Sequence, residues 1–261
     1  MIDNDLGATF QPAAGTLVIT ASKVRDLTAC PRRYGLAHVL RLSPDADADE
    51  QTEELALGLA LHAELKLRHA DPRLHDHDGF VDPMSPRAPW IAQRVAAHQA
   101  MCPSSVVAGT VSYVDGECDL QWFRPRRNVI VRGRIDALWL HDNGTLEVRD
   151  YKSGYVPDNL RDDPAALLYG LLALTHPVAA SKHRVRTVRV TYEALRDQQS
   201  RVVSLDFDSA VVADAIRLVQ TTDERIRAEQ NFAATPSASV CRTCSFRITC
   251  PFSAARENVL P

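Results

Sequence analysis

The segment NVIVRGRIDALWLHDNGTLEVRDYKSG, residues 128–154, constrains the fold more than any other part of the chain. On either side of Asp142-Asn143-Gly144, apolar and polar residues follow the period of two that sends successive side chains to opposite faces of a strand. A three-residue connection ending in glycine favours a type I turn followed by a left-handed residue. The segment therefore reads as an antiparallel hairpin with strands near 128–140 and 145–152. That loop pairs His141 with Thr145. Counting back along the ladder sets Asp136 opposite Asp150, and directly opposed Cβ atoms lie ~4.5–5.5 Å apart. Asp150 and Lys152 then share a face with Leu146 and Val148.

Two carboxylates held face to face repel each other unless a cation lies between them. Hard carboxylate oxygens suit Mg²⁺ or Mn²⁺, which keep waters that can be activated. Such an ion polarises a phosphoryl oxygen and acidifies bound water. Lys152 would orient that water or stabilise the charge of the transition state. His62, on an expected helix over 53–69, is a further candidate ligand, and its imidazole favours Mn²⁺ over Mg²⁺. A plainer reading stays open for each: a strand-end ion pair worth ~0–1 kcal/mol for Asp150 and Lys152, and a packed or solvated histidine for His62.

The remaining chain reads as helices and strands of a mixed sheet flanked by helices, an α/β sandwich. A loose arm over 1–15 precedes a short helix from Ser22 to Ala29 and a second over 31–42. A proline-rich loop covers 71–89, and Trp90–Met101 is helical. Strands are expected near 106–114 and 118–123, and after the hairpin near 185–195 and 201–207. Helices are expected over 164–175 and 208–230. With 45% hydrophobic and 24% charged residues in 261, the composition is that of a globular protein with a real core. No apolar run reaches the length of a membrane span, and the N-terminal segment is acidic, so a cytoplasmic location is expected. A net charge of −3 with a pI near 6.3 does not mark a nucleic-acid binder, but 123–134 and 182–189 are locally basic.

There, the six cysteines argue for metal or cluster ligation. CRTCSFRITCP (241–251) has the spacing C-x2-C-x5-C, and Cys30 stands far upstream in LTACPRRYGL. Thiolates at this density suit either Zn²⁺ or an iron–sulfur cluster. Cys102 and Cys118 fit no motif and read as ordinary thiols.

GLALH (58–62), GRID (133–136), DYKSG (150–154) and Tyr169 in PAALLYG together resemble the ordered motifs of RecB-like nucleases of the PD-(D/E)xK superfamily, over residues 20–252. The resemblance implies a restriction-endonuclease-like fold. It places His62, Asp136, Asp150 and Lys152 in the catalytic site, with the backbone carbonyl of Tyr151 completing the metal shell. Ala165 stands where the family tends to carry a glutamine, four residues before the tyrosine; no metal ligand is lost. The cysteines resemble the iron–sulfur staple of AddB-type and CRISPR-associated RecB-like nucleases, which implies a 4Fe-4S cluster on Cys30, Cys241, Cys244 and Cys250, with Zn²⁺ as the alternative. One domain is then expected over 1–261: a helical part (16–105), a nuclease core (106–235) and a C-terminal cysteine segment (236–261).

Three weaker features have two readings each. The tract HADPRLHDHDGF (69–80) is His-rich, yet reads as a solvated loop. QWFRPRR (121–127) could offer Trp122 and Arg124 to single-stranded DNA or pack an aromatic on the core. Arg32 and Arg33 could touch a DNA backbone or cap a helix; Tyr169 and Arg134 are further candidate DNA contacts. The leading expectation is a metal-dependent deoxyribonuclease, acting as an exonuclease on single-stranded ends, with a helicase or CRISPR integrase as a possible partner and no membrane. The rivals are a non-catalytic DNA-binding or redox-sensing module on the same fold, and a phosphodiesterase acting on RNA or nucleotides.

Overall fold

The computed structural model describes residues 15–45, 52–70, 85–102, 111–115, 118–124, 127–180, 185–196, 199–229 and 231–255. The N-terminal arm up to residue 14, most of the acidic block DADADEQTEE (45–54), the tract 71–84, the start of the strand expected from 106 and the side chain of Cys118 lie outside the described residues.

In chain order the elements are β1 (Leu17–Ile19), α1 (Ala21–Ala29), α2 (Pro31–Tyr34), α3 (Thr52–Ala70), α4 (Ala88–Met101), β2 (Val111–Asp115), β3 (Cys118–Arg124), β4 (Val129–Ile135), β5 (Ala137–His141), β6 (Thr145–Lys152), α5 (Pro164–Ala173), α6 (Pro177–Ala180), β7 (Thr187–Arg196), β8 (Gln199–Asp206), α7 (Ser209–Ala228) and α8 (Ala238–Arg242). Side-chain oxygens of Thr20, Asp163 and Asp208 cap α1, α5 and α7, each satisfying an N–H that the first turn leaves without a helical partner. Thr20, not Ser22, caps α1. The expected helix over 31–42 holds α geometry only through Tyr34 and then widens into a π-helical turn, Gly35–Val39.

The hairpin has the expected register. Leu140 pairs with Leu146 and Ala137 with Arg149. Gly144 takes φ +84°, the left-handed conformation that the three-residue turn requires. The single strand expected over 128–140, however, is two. β4 joins a three-stranded sheet, β1-β4-β3, while β5 joins a five-stranded one, β2-β5-β6-β7-β8. Asp136 is the one residue between them, so it sits at the seam of two sheets. β6 and β7 are parallel, joined through α5, and the other neighbours in the larger sheet are antiparallel. The result is the expected mixed sheet flanked by helices.

Alternation along β6 divides the core. Leu146 and Val148 pack with residues of α5 and α7 in the main cluster. Tyr151, with Trp139 and Ala137 of β5, packs on the opposite side against Leu61 and Leu65 of α3 and Ile91 and Val95 of α4. Asp150 and Lys152 therefore project from the first face and Tyr151 from the second.

Candidate active site

The end of β6, the Asp136 seam and the third turn of α3 meet at one place. His62 Nδ1 lies 3.0 Å from Asp136 Oδ1, and the Tyr151 N–H donates to Asp136 Oδ2 at 2.8 Å. Lys152 forms an ion pair with Asp150 and its ammonium stands 4.7 Å above the Tyr192 ring. Gly58, one helical turn before His62, leaves only ordinary van der Waals room next to Ser153. That seats α3 against the turn that follows β6.

The electrostatics are those of two carboxylates sharing a small space. Burial drives the pKa of Asp150 upward, Lys152 opposes it, the charge of Asp136 adds to it, and the net position is about 6. Burial disfavours the His62 imidazolium, but the hydrogen bond and charge of Asp136, with Asp150 behind it, outweigh burial and raise its pKa. Burial, followed by the charges of Asp150 and Asp136, raises the pKa of Tyr169, which keeps its hydroxyl protonated. A divalent cation fits this donor set: the repulsion between Asp136 and Asp150 is the energy that a cation removes, and hard oxygens with one imidazole are ligands for Mg²⁺ or Mn²⁺. When bound, such an ion polarises a phosphate and acidifies water. A lysine held in this way, as Lys152 is by Asp150, can supply positive charge to a reacting phosphate.

Beside these carboxylates is a cavity of about 310 Å³ lined by Thr20, Ser22, Arg25, Arg132, Arg134 and Tyr169, with Gly133 at its floor. A Cβ on Gly133 would stand 2.7 Å from Leu172 and 3.2 Å from Tyr169. The glycine thus lets α5 approach β4 and brings Tyr169 within electrostatic reach of Arg25, Asp136 and Asp150. Arg25, Thr20 and Ser22 carried no motif in the sequence; they reach the site because β1 lies parallel to β4.

The other expected DNA contacts lie elsewhere. Trp122 is half-buried against the main core, the second of its two readings. Arg124 faces the carboxamide of Gln220 at 2.7 and 3.0 Å, with that amide turned to present its oxygen. Arg33 pairs with Asp26 at 2.8 Å, and Arg32 lies 5.9 Å over the Phe252 ring.

Cys30, Cys241, Cys244 and Cys250 line a single small cavity with Leu36, Phe246 and Phe252. Backbone N–H groups point at the sulfurs, from Thr235 to Cys30 and from Phe246 to Cys244, both at 3.5 Å. Burial works against the Cys30 thiolate, but the backbone N–H and side chain of Thr235, with the N–H groups of Arg33 and Arg32, outweigh it and lower its pKa. Burial pushes that of Cys244 up. Thiol donors with N–H groups aimed at them suit a bound metal centre. Asp45, the first residue of the acidic block, is buried. Its carboxylate accepts the N–H of Ile248 at 2.6 Å and that of Thr249 at 3.2 Å, and its own N–H donates to Ser245 at 2.8 Å. The loop between Cys244 and Cys250 is thereby clasped to the N-terminal part.

Paired carboxylates, a lysine and an imidazole thus meet at the end of a mixed α/β sheet. Residues 18–251 match the sequence profile of the PD-(D/E)XK nuclease superfamily, and the chain belongs to that superfamily. No curated protein matches the chain. Among solved structures, it resembles an assigned exonuclease from Eubacterium rectale at 7% identity and a TM-score of 0.49, covering 87% of this chain and 86% of that one. It also resembles the protein SSO0001 at 14% identity and a TM-score of 0.36, covering 90% and 85%. No helix among the described residues is long and apolar enough to cross a membrane.

Proposed function

We propose that this nuclease cleaves DNA as a Mg²⁺- or Mn²⁺-dependent exonuclease acting on single-stranded ends. The observation that carries the reading is the convergence of His62, Asp136, Asp150 and Lys152 at the end of β6. Asp136, Asp150 and His62, with the Tyr151 carbonyl that the family resemblance adds, hold the metal. Lys152 acts on the reacting phosphate. The arginine-lined cavity at Tyr169, between α1, β4 and α5, accepts the phosphate backbone of a single strand. Cys30, Cys241, Cys244 and Cys250 carry a structural 4Fe-4S cluster, whose support is their shared cavity and the N–H groups on the sulfurs. The test is cleavage of end-labelled single- and double-stranded DNA and of RNA with Mg²⁺ and with Mn²⁺, alongside Asp150→Ala. Metal-dependent shortening of single-stranded DNA, absent from the variant, is expected. Equal cleavage by the variant would refute the site, and preferred cleavage of RNA or of duplex interiors would refute the substrate and mode.

A further inference from the structure

On the far side of β6 from Asp150, three metal-binding side chains converge that the nuclease site does not use. His69 ends α3, His98 lies on the last turn of α4 and Cys102 follows that helix. Their ligand atoms all lie within 4.8 Å of one another, and the residues are only 5%, 1% and 6% exposed. The two Nε2 atoms face each other at 2.9 Å. We propose that His69, His98 and Cys102 form a buried zinc site that joins α3 to α4.

Three observations point to a cation here. Glu193, fully buried on β7, stands 2.7 Å from His98 Nδ1. A carboxylate on one ring nitrogen fixes the tautomer, so Nδ1 carries the hydrogen and Nε2 presents its lone pair; this is the arrangement by which carboxylates orient metal-bound histidines. Arg149 in turn donates to Glu193 at 2.8 Å and to Glu147 at 2.9 Å, so the orienting carboxylate is itself fixed. Second, the His98 lone pair points at the Nε2 of another imidazole, a place held by one shared proton or by one cation. Third, a thiol completes the triangle, and two imidazoles with one thiolate are a donor set for Zn²⁺.

The nitrogen spacing is close to what zinc needs, and the sulfur lies within 4.8 Å of both nitrogens. Tetrahedral zinc with the usual bond lengths separates two nitrogens by about 3.3 Å and a nitrogen from a sulfur by about 3.6 Å. The rings need part by only a few tenths of an ångström, and Cys102 gives up its proton on binding. Three protein ligands leave the fourth corner for water. His98 and Cys102 are one helical turn apart, and His69 is two turns beyond His62 on α3, so the ion fixes the rotation of the helix that presents His62. The site is structural, and it stands apart from the catalytic metal.

The test is the zinc content of the full chain, purified without chelator from zinc-supplemented medium, by elemental analysis. Wild type and Asp150→Ala should carry one zinc per chain that His98→Gln and Cys102→Ser lack, whatever metal the four-cysteine cavity holds. Stripped wild type titrated with Zn²⁺ should gain melting temperature up to that one equivalent. Should Cys102→Ser fail to fold, Cys102→His, which keeps a donor, must retain the zinc. Wild type that holds no zinc beyond the content of His98→Gln, or that takes copper here with an intense visible band, would overturn the assignment. Because Asp150→Ala keeps this zinc while losing cleavage, failure of the zinc site and failure of the nuclease reading are distinguishable.

Discussion

His62 and Asp136 are 74 residues apart in the chain, yet the imidazole Nδ1 lies 3.0 Å from the carboxylate, whose other oxygen holds the Tyr151 N–H at 2.8 Å. The carboxylate is aimed from both sides before any cation arrives. If His62 is a ligand, His62→Ala should raise the Mn²⁺ concentration for half-maximal cleavage, by about 10-fold or more. A merely packed histidine would instead lower the melting temperature and leave the metal requirement unchanged. Activity titrated against Mn²⁺ beside a melting curve separates the two.

Asp150→Ala or Lys152→Ala should abolish cleavage while fold and DNA binding stay nearly intact. On the proposed reading both act where charge develops, not on the phosphates that hold the strand. Loss of one such group typically costs ~10²–10³ in rate. Single-turnover cleavage and a filter-binding titration on the same samples give the comparison. Near wild-type rates in either variant would end the assignment.

Glu147 predicts an acid-sensitive fold. Burial would raise its pKa, but the hydrogen bond from His141 at 2.5 Å and the charge of Arg149 dominate and bring it down to about 2. A carboxyl whose folded pKa lies below its ordinary 4.5 contributes stability that is complete above that value and lost as pH falls toward 2. The contribution is on the order of 3 kcal/mol. Urea melts of wild type and Glu147→Gln should therefore differ most near pH 7 and converge as the pH is lowered to about 2. A difference independent of pH would assign the loss to packing alone.

The four clustered cysteines should behave as one unit. A cross-link from Cys30 to Cys241 closes a loop of about 210 residues, which in the chain-entropy treatment is worth roughly 5 kcal/mol. Cys30→Ala and Cys250→Ala should lose the same iron and sulfide and be similarly destabilised, while Cys102→Ala keeps the iron. Asp45→Ala, which unclasps the loop holding Cys250, should cost about 1–3 kcal/mol and lower iron content. Anaerobic purification, iron and sulfide assay and thermal melts test all four. A full cluster in Cys30→Ala would break the staple; zinc without sulfide in wild type would replace the cluster and leave the staple.

The hairpin was legible because a three-residue turn with Gly144 admits one register, and that register sets Asp136 beside Asp150. The break at Asp136 was not. Ile135-Asp136-Ala137 has no glycine or proline to mark it, and which sheet each half joins is decided by β1 and β2, far away in sequence. β1 escaped notice because three residues give no measurable period. Glu147 and Arg149 stood in plain view inside the hairpin but passed as polar members of an alternating strand. Their face is buried by α3 and α4, which nothing local encodes. His98 and Cys102 did carry a signal, a four-residue spacing on a helix, but His69 and Glu193 that give it meaning are 29 and 95 residues from His98. Asp45 carried no signal of its own inside the acidic block, since its partners lie more than 200 residues downstream.

The clasp between Asp45 and the loop before Cys250 also sets an order of events during synthesis. Leu36 is buried chiefly by Cys244 and Phe246, and Cys30 meets its companions only across the same cavity. At ~5–20 residues per second, the ribosome delivers Cys250 roughly 10–45 s after Cys30. Throughout that interval Leu36 and Cys30 have nothing to close against, although β1 and α1 can already pack on β4 and α5. The nuclease core can gather its sheets first, but the Asp45 clasp and the four-cysteine cavity must wait for residues 241–250.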